Sequence, residues 1–423
     1  MTRVSWFLFF IFAFVACTNQ TGQTPAATVA PAPTVASTSA PAPVAPTAVT
    51  AEVKPTAGTV ALTPAAVAAG IQQALDTYVE AYNTNNVDML RSVVDQTNAP
   101  FRRLVEERFN TFQSSSFRGM RFGAMRVLEV KARPHNFWQA TIDDGGFRRD
   151  ILFIQAEDGR WVMSEPTEEQ LGAKIKIDNE YFTLNTYEWA AEVNDVIEEM
   201  VVRARQQVID VLGRTPENKF NVYLRPIFSI TPPVNPNSLA WYAAGSRPRN
   251  DRVDIFAPFS YAFGSYDPNV GWEGELYSTI VHELTHWAYT RAFAQEYRIT
   301  DWMSEGLAEY VSNNPRRSAV SAAVRMGRII PLIDPNGGVR PQDLDHMNTL
   351  EVDRSLAYGF AYALVAYIVE TQGGLDGYWR LAAAVRDTPG TGIEFYDKAF
   401  QKAFGMTYAE FDAGWRQWLQ ENY

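Results

Sequence analysis

The stretch VHELTHWAY, Val281 to Tyr289, holds two of the four histidines in the 423-residue chain, with Glu283 beside the first. His282 and His286 stand four residues apart. On a helix that spacing puts both imidazoles on one face, one turn apart, where they can bind one metal ion. Leu276, Ile280, Leu284 and Trp287 recur at three- to four-residue intervals, so the surroundings read as a helix. Glu283 projects toward the open side of such a metal. There it can take a proton from metal-bound water and pass it to a leaving group. Two histidines do not complete the site, because a catalytic zinc takes three protein ligands and a water.

The missing ligand is sought downstream, in DWMSEGLAEYV, Asp301 to Val311. Asp301 suits an N-cap, and Met303, Leu307 and Tyr310 form a helical apolar stripe. Glu305 and Glu309 share one face, a turn apart. Eighteen residues separate His286 from Glu305. Alone, two carboxylates at this spacing describe a solvated helix face. Beside HExxH, they are candidates to complete a metal site.

HExxH, eighteen residues, then W-M-x-E-G-L-A-x-Y closely resembles the gluzincin metallopeptidases. The chain as a whole is more similar to the smaller peptidase MA-like group. This resemblance implies one Zn²⁺ held by His282, His286 and Glu305, with Glu283 as general base and acid. It implies that Glu309 orients one histidine through its ring N–H; Glu309 is also the alternative third ligand. The implied substrate is a peptide or protein. The implied fold is a thermolysin-like zincin domain over residues 182–423, with a small sheet and a mostly helical C-terminal half.

A developing oxyanion needs a donor. Gluzincins commonly draw a tyrosine or histidine from a later helix, and LAYGFAYALVAYIVETQGG, Leu356 to Gly374, resembles that helix. Tyr358 is the first candidate and Tyr362 the second, although tyrosines on amphipathic helices are usually packing residues. His346 is a further candidate donor, and His135 reads as structural. In gluzincins an edge strand ahead of the zinc helix pairs with extended substrate. DRVDIFAP, Asp251 to Pro258, occupies the matching place, which makes Asp254, Ile255 and Phe256 candidate substrate-binding residues. No GxMEN-like segment for holding a free amino terminus is found, which favours an endopeptidase.

The elements that must position these residues follow from periodicity. From Pro64 to Tyr181 the chain reads as helices first, with Ile71, Leu75, Tyr78, Val79 and Tyr82 on one face. Strand-like segments follow: MRVLEVKARP, FWQATIDD, FRRDILFIQAED and RWVMSE, with turn signals at Asp144-Gly145-Gly146 and Asp158-Gly159. The order resembles the cone-shaped α+β fold of the ketosteroid isomerase and SnoaL superfamily, here expected as an accessory domain; no acid-base pair for isomerase chemistry accompanies it. From residue 182 onward, a helix is expected over Thr186–Leu212, ended by Gly213. KFNVYLRP then reads as a strand, Ile230–Asn250 as loop, and nearly everything after Gly274 as helix. Phe411, Trp415, Trp418 and Leu419, behind a capping box of Thr407 and Glu410, read as core.

The N-terminus sets the compartment. One arginine, Arg3, precedes an apolar run from Trp6 to Ala16, and the only cysteine, Cys17, closes it. This is a secretory signal, too short for a typical spanning helix. FVAC resembles a bacterial lipobox, with Phe14 in place of the usual leucine, so residues 1–17 are expected to be a lipoprotein signal with Cys17 lipidated. Residues 18–63 are nearly all Ala, Pro, Thr, Val and Ser and read as a disordered tether. The expected location is extracytoplasmic, anchored to a membrane by lipid. A lone cysteine allows no intramolecular disulfide. With 37 Lys and Arg against 48 Asp and Glu, the net charge of −11 argues against nucleic acid as a partner.

Overall fold

The computed structural model describes residues 62–114, 121–228, 239–329, 332 and 354–423. The signal segment with Cys17, nearly all of the tether, and His346 lie outside the described residues. The chain is mixed α+β, with two sheets.

Helix α1 (Pro64–Thr84) starts where the Thr63 side chain accepts the Ala66 N–H, and stops at Asn85 in a left-handed conformation. Its buried face carries Val67, Ile71, Leu75, Tyr78 and Tyr82. Short α2 (Val87–Ser92) and α3 (Ala99–Gln113) follow. The first sheet is an antiparallel meander of β1 (Met125–Ala132), β2 (Trp138–Asp144), β3 (Phe147–Gln155) and β4 (Trp161–Met163). These four strands fall where alternation and turn glycines place them.

The second sheet has the order β5-β6-β7-β9-β8. Its members are β5 (Lys174–Asp178), β6 (Phe182–Tyr187), β7 (Phe220–Arg225), β8 (Ala240–Ala243) and β9 (Arg252–Phe256). Strands β6, β7 and β9 run parallel, and β5 and β8 pair antiparallel at the two ends. Helix α4 (Asn194–Leu212) is the crossover that parallel β6 and β7 require. Gly213, at φ 79°, ends it as expected.

Three expectations need correction here. The helix placed from Thr186 begins only at Asn194, because Phe182–Tyr187 is taken up as a strand beside β7 and a 3-10 turn intervenes. The second sheet already starts at Lys174, ahead of the boundary drawn at 181. Strand β9 is not an edge: β7 and β8 flank it, and Asp254, Ile255 and Phe256 are fully buried. The edge near the HExxH helix is β8, inside the stretch expected to be loop.

The rest is helical: α5 (Gly271–Ala288), a π turn (Tyr289–Phe293), α6 (Asp301–Val311), α7 (Arg317–Arg325), α8 (Arg354–Thr371), α9 (Leu375–Asp387), α10 (Gly392–Phe404) and α11 (Tyr408–Asn422). Leu276, Ile280 and Leu284 of α5 are wholly buried. At about 1.5–3 kcal/mol each, their burial fixes the rotation of α5. The expected capping box of α11 is present, and Phe411, Trp415 and Leu419 are core. Trp418 is only partly buried; its indole N–H donates to Glu370 at 2.8 Å. No helix among the described residues is long and apolar enough to cross a membrane.

Candidate metal centre

Helices α5 and α6 bring His282, His286 and Glu305 together as a buried group whose donor atoms could hold a metal ion. His282 Nε2 lies 3.0 Å from His286 Nε2 and 3.1 Å from Glu305 Oε2. His286 Nε2 lies 3.4 Å from the same oxygen. Tetrahedral ligands at zinc bond lengths of 2.0–2.1 Å stand about 3.3 Å apart, so the triangle has the right size.

The outer nitrogens decide what the inner ones can do. His282 Nδ1 faces Glu309 Oε1 at 3.3 Å. A carboxylate only accepts, so Nδ1 carries the hydrogen and Nε2 presents a lone pair. His286 Nδ1 lies 3.1 Å from Ser304 Oγ, which can accept in the same way. Two nitrogen lone pairs and a carboxylate oxygen then converge. Such a set repels itself unless positive charge lies between.

Without a metal, a proton supplies that charge. Burial acts to lower His282, but hydrogen bonds to Glu305 and Glu309 outweigh it and push the imidazole up to about 10. Burial acts to raise Glu305, and the two histidines outweigh it, drawing the carboxyl down to about 2. Both shifts describe one cation-seeking cluster. Glu309 is likewise held low against burial, by Arg316 first and then by His282. Glu309 therefore sits behind His282, and Glu305 is the carboxylate in the donor triangle.

Glu283 is 0 % exposed. Burial raises its carboxyl above the usual range, against the pull of both histidines. Its Oε2 accepts the Tyr242 N–H at 2.7 Å, which ties it to strand β8. In β8, Leu239 O accepts from Phe256 N, so by alternation the backbone groups of Ala240 and Tyr242 face away from β9.

Of the candidate donors, Tyr358 on α8 is at the site, its ring centroid 6.1 Å from that of His282. Tyr362, a turn later, pairs instead with Tyr310 at 6.0 Å. His135 lies on a turn at φ 57° and stacks on Trp189, away from the cluster. Asp254 is not at the cleft: it is an internal counter-ion for Arg225 and Arg252, at 2.5 and 2.9 Å.

Three contributors escape a reading of the sequence. Ser304, adjacent to Glu305, was within reach of the motif. Tyr242 and Arg316 carry no signal, since one acts through its backbone and the other from beyond the end of α6. No protein-family model matches the chain, and no curated protein matches it in sequence.

Proposed function

We propose that the protein is a zinc-dependent metallopeptidase of the gluzincin, peptidase MA-like type, hydrolysing peptide bonds in a peptide or protein substrate. One observation supports this reading above the others: the three-donor triangle at 3.0–3.4 Å has a buried carboxylate, Glu283, next to it in the chain. We read the C-terminal part as a zincin fold and the first sheet with α1–α3 as a SnoaL-like cone. The N-terminal signal and Cys17 support an extracytoplasmic, lipid-anchored location.

His282, His286 and Glu305 would hold the zinc, which when bound supplies Lewis acidity to a carbonyl and to water. Glu283 takes a proton from the attacking water and returns it to the departing amine nitrogen. Extended substrate adds to the outer edge of β8, through the Ala240 backbone and the Tyr242 carbonyl, the Tyr242 N–H being held by Glu283, rather than to β9. Tyr358 is the donor nearest the cluster among the candidates within the described residues.

Glu283→Gln keeps all three ligands. It is expected to retain zinc and to lose hydrolysis by about 10²- to 10⁴-fold. Full activity in that variant would sink the mechanism. The alternative is a zinc-bearing peptide- or ligand-binding lipoprotein without turnover; the intact Glu283 speaks against it, because a site that only binds needs only the three ligands. Zinc content with no cleavage across a broad peptide library would select it.

A further inference from the structure

The first sheet and its helices close on a residue from far along the chain. Tyr261 lies between β9 and α5 and is 2 % exposed. Its hydroxyl is 2.8 Å from the Tyr78 hydroxyl on α1. Its ring meets Phe101 of α3 edge-on at 5.3 Å. The guanidinium groups of Arg108 (α3) and Arg149 (β3) lie 4.9 and 4.3 Å from its centroid. The same two arginines donate to the Tyr261 carbonyl, at 2.8 and 3.1 Å, and Arg108 reaches the Ala262 carbonyl at 3.1 Å.

An apolar plug would stabilise such a slot more cheaply than two cations, Arg149 buried and Arg108 partly buried. What the arginines add is selectivity, for a phenol ring followed by two backbone carbonyls in fixed positions. A second buried group seats the same segment. Glu165, just after β4, accepts from Ser260 Oγ at 2.9 Å, Tyr261 N at 3.0 Å and Phe228 N at 3.0 Å. Phe228 follows β7, and Ser260 and Tyr261 follow β9. One carboxylate of the N-terminal part therefore gathers the ends of two central parallel strands. Strand β9 carries β8, whose Tyr242 amide holds Glu283. The seated segment itself leads into α5, which bears both histidines.

We propose that the slot between α1, α3 and β3 is an intramolecular receptor for the Tyr261 segment, and that by seating it the N-terminal part sets strand β8 against the metal-bearing helix α5. The first sheet and its helices are then part of the working site, with Tyr261 as a positioning residue. The link to metal rests on the proposed zinc site; the link to Tyr242 does not.

The test uses the full-length chain with two readouts, cobalt(II) affinity by visible absorption and hydrogen exchange at the Tyr242 amide. Tyr261→Ala is expected to weaken cobalt binding at least tenfold and to speed Tyr242 exchange at least tenfold. Millimolar phenol, which restores the missing ring, should reverse most of both effects, and Tyr261→Phe should show only a small part of them. Should the alanine variant fail to fold, Arg149→Lys, which keeps the charge and loses the planar fork, is read in the same way. A folded variant with wild-type cobalt affinity and wild-type exchange overturns the proposal. So does phenol that binds the variant and restores neither readout. A wild-type protein that binds no cobalt defeats the zinc site instead, and the exchange measurement still decides the role of the slot.

Discussion

Arg316 grips both carboxylate oxygens of Glu309, at 3.2 and 3.0 Å, and Glu309 in turn faces His282 Nδ1 at 3.3 Å. All three side chains are buried. Arg316 reaches this position from a left-handed backbone, φ 45°, at the start of α7. Its guanidinium also lies 5.9 Å from the Tyr358 ring centroid. One cation thus holds Glu309 ionised and stands beside the candidate oxyanion donor. Arg316→Ala leaves Glu309 without its partner and is expected to weaken zinc binding about 10- to 100-fold. Arg316→Lys keeps the charge without the two-pronged grip and should fall between. Competition titration against a zinc chelator measures both, and wild-type affinity in the alanine variant would contradict the role.

Metal removal should be visible in stability. The donor triangle forms only when α5 and α6 are docked, so metal binding favours the folded state. Zinc at about a thousand times its Kd adds about 4 kcal/mol. For a unit of 150–250 residues that is roughly 8–16 °C in Tm. Thermal unfolding with chelator and with added zinc reads the shift, which His286→Ala should abolish.

Gly306, next to Glu305, lets α6 lie directly on α8. A Cβ there would sit 2.3 Å from the Ala361 carbonyl oxygen and 2.8 Å from Val365 Cγ2. The obstacle is helix backbone, which cannot swing aside. Gly306→Ala should cost about 1–3 kcal/mol and displace Glu305. Gly123, where a Cβ meets nothing within 4 Å, serves as control. Denaturant midpoints of Gly306→Ala and Gly123→Ala against wild type compare the two costs.

Acid should loosen the contact between the two parts of the chain. Glu192 pairs with Lys131 at 2.6 Å and with buried Arg133, which also stacks on Phe259, 4.6 Å from its ring centroid. Burial acts to raise Glu192, and the two cations hold it below its ordinary value near 4.5. A depressed acid contributes stability that is full above about pH 4.5 and is lost as pH falls through the folded value. The Tm gap between wild type and Glu192→Gln should therefore stay constant above that pH and shrink below it. A gap that widens on acidification would contradict the pairing.

What could be read from the chain alone was local. His282 and His286 share a face because helix geometry repeats every 3.6 residues, and the strands of the first sheet alternate visibly between turn glycines. Glu305 needed a longer pattern, yet still a contiguous one. Strand β8 was hidden because Ala240–Ala243 is short, does not alternate and lies in a Pro- and Asn-rich stretch. DRVDIFAP looked like a strand and is one; that it lies inside the sheet depends on what pairs beside it, which its own residues do not encode.

The sequence by itself determined that α5 and α6 carry a donor set that could hold a metal ion, and the mixed α+β character of the chain, because both rest on short-range periodicity. Only the tertiary structure decided that Arg316 stands behind Glu309, that the Tyr242 amide holds Glu283, and that Tyr261 fills a slot formed by residues as far as 183 positions away. Those relationships join groups that no local spacing connects. They exist because a buried charge or hydroxyl must find a partner, and the partner within reach is set by how the elements pack.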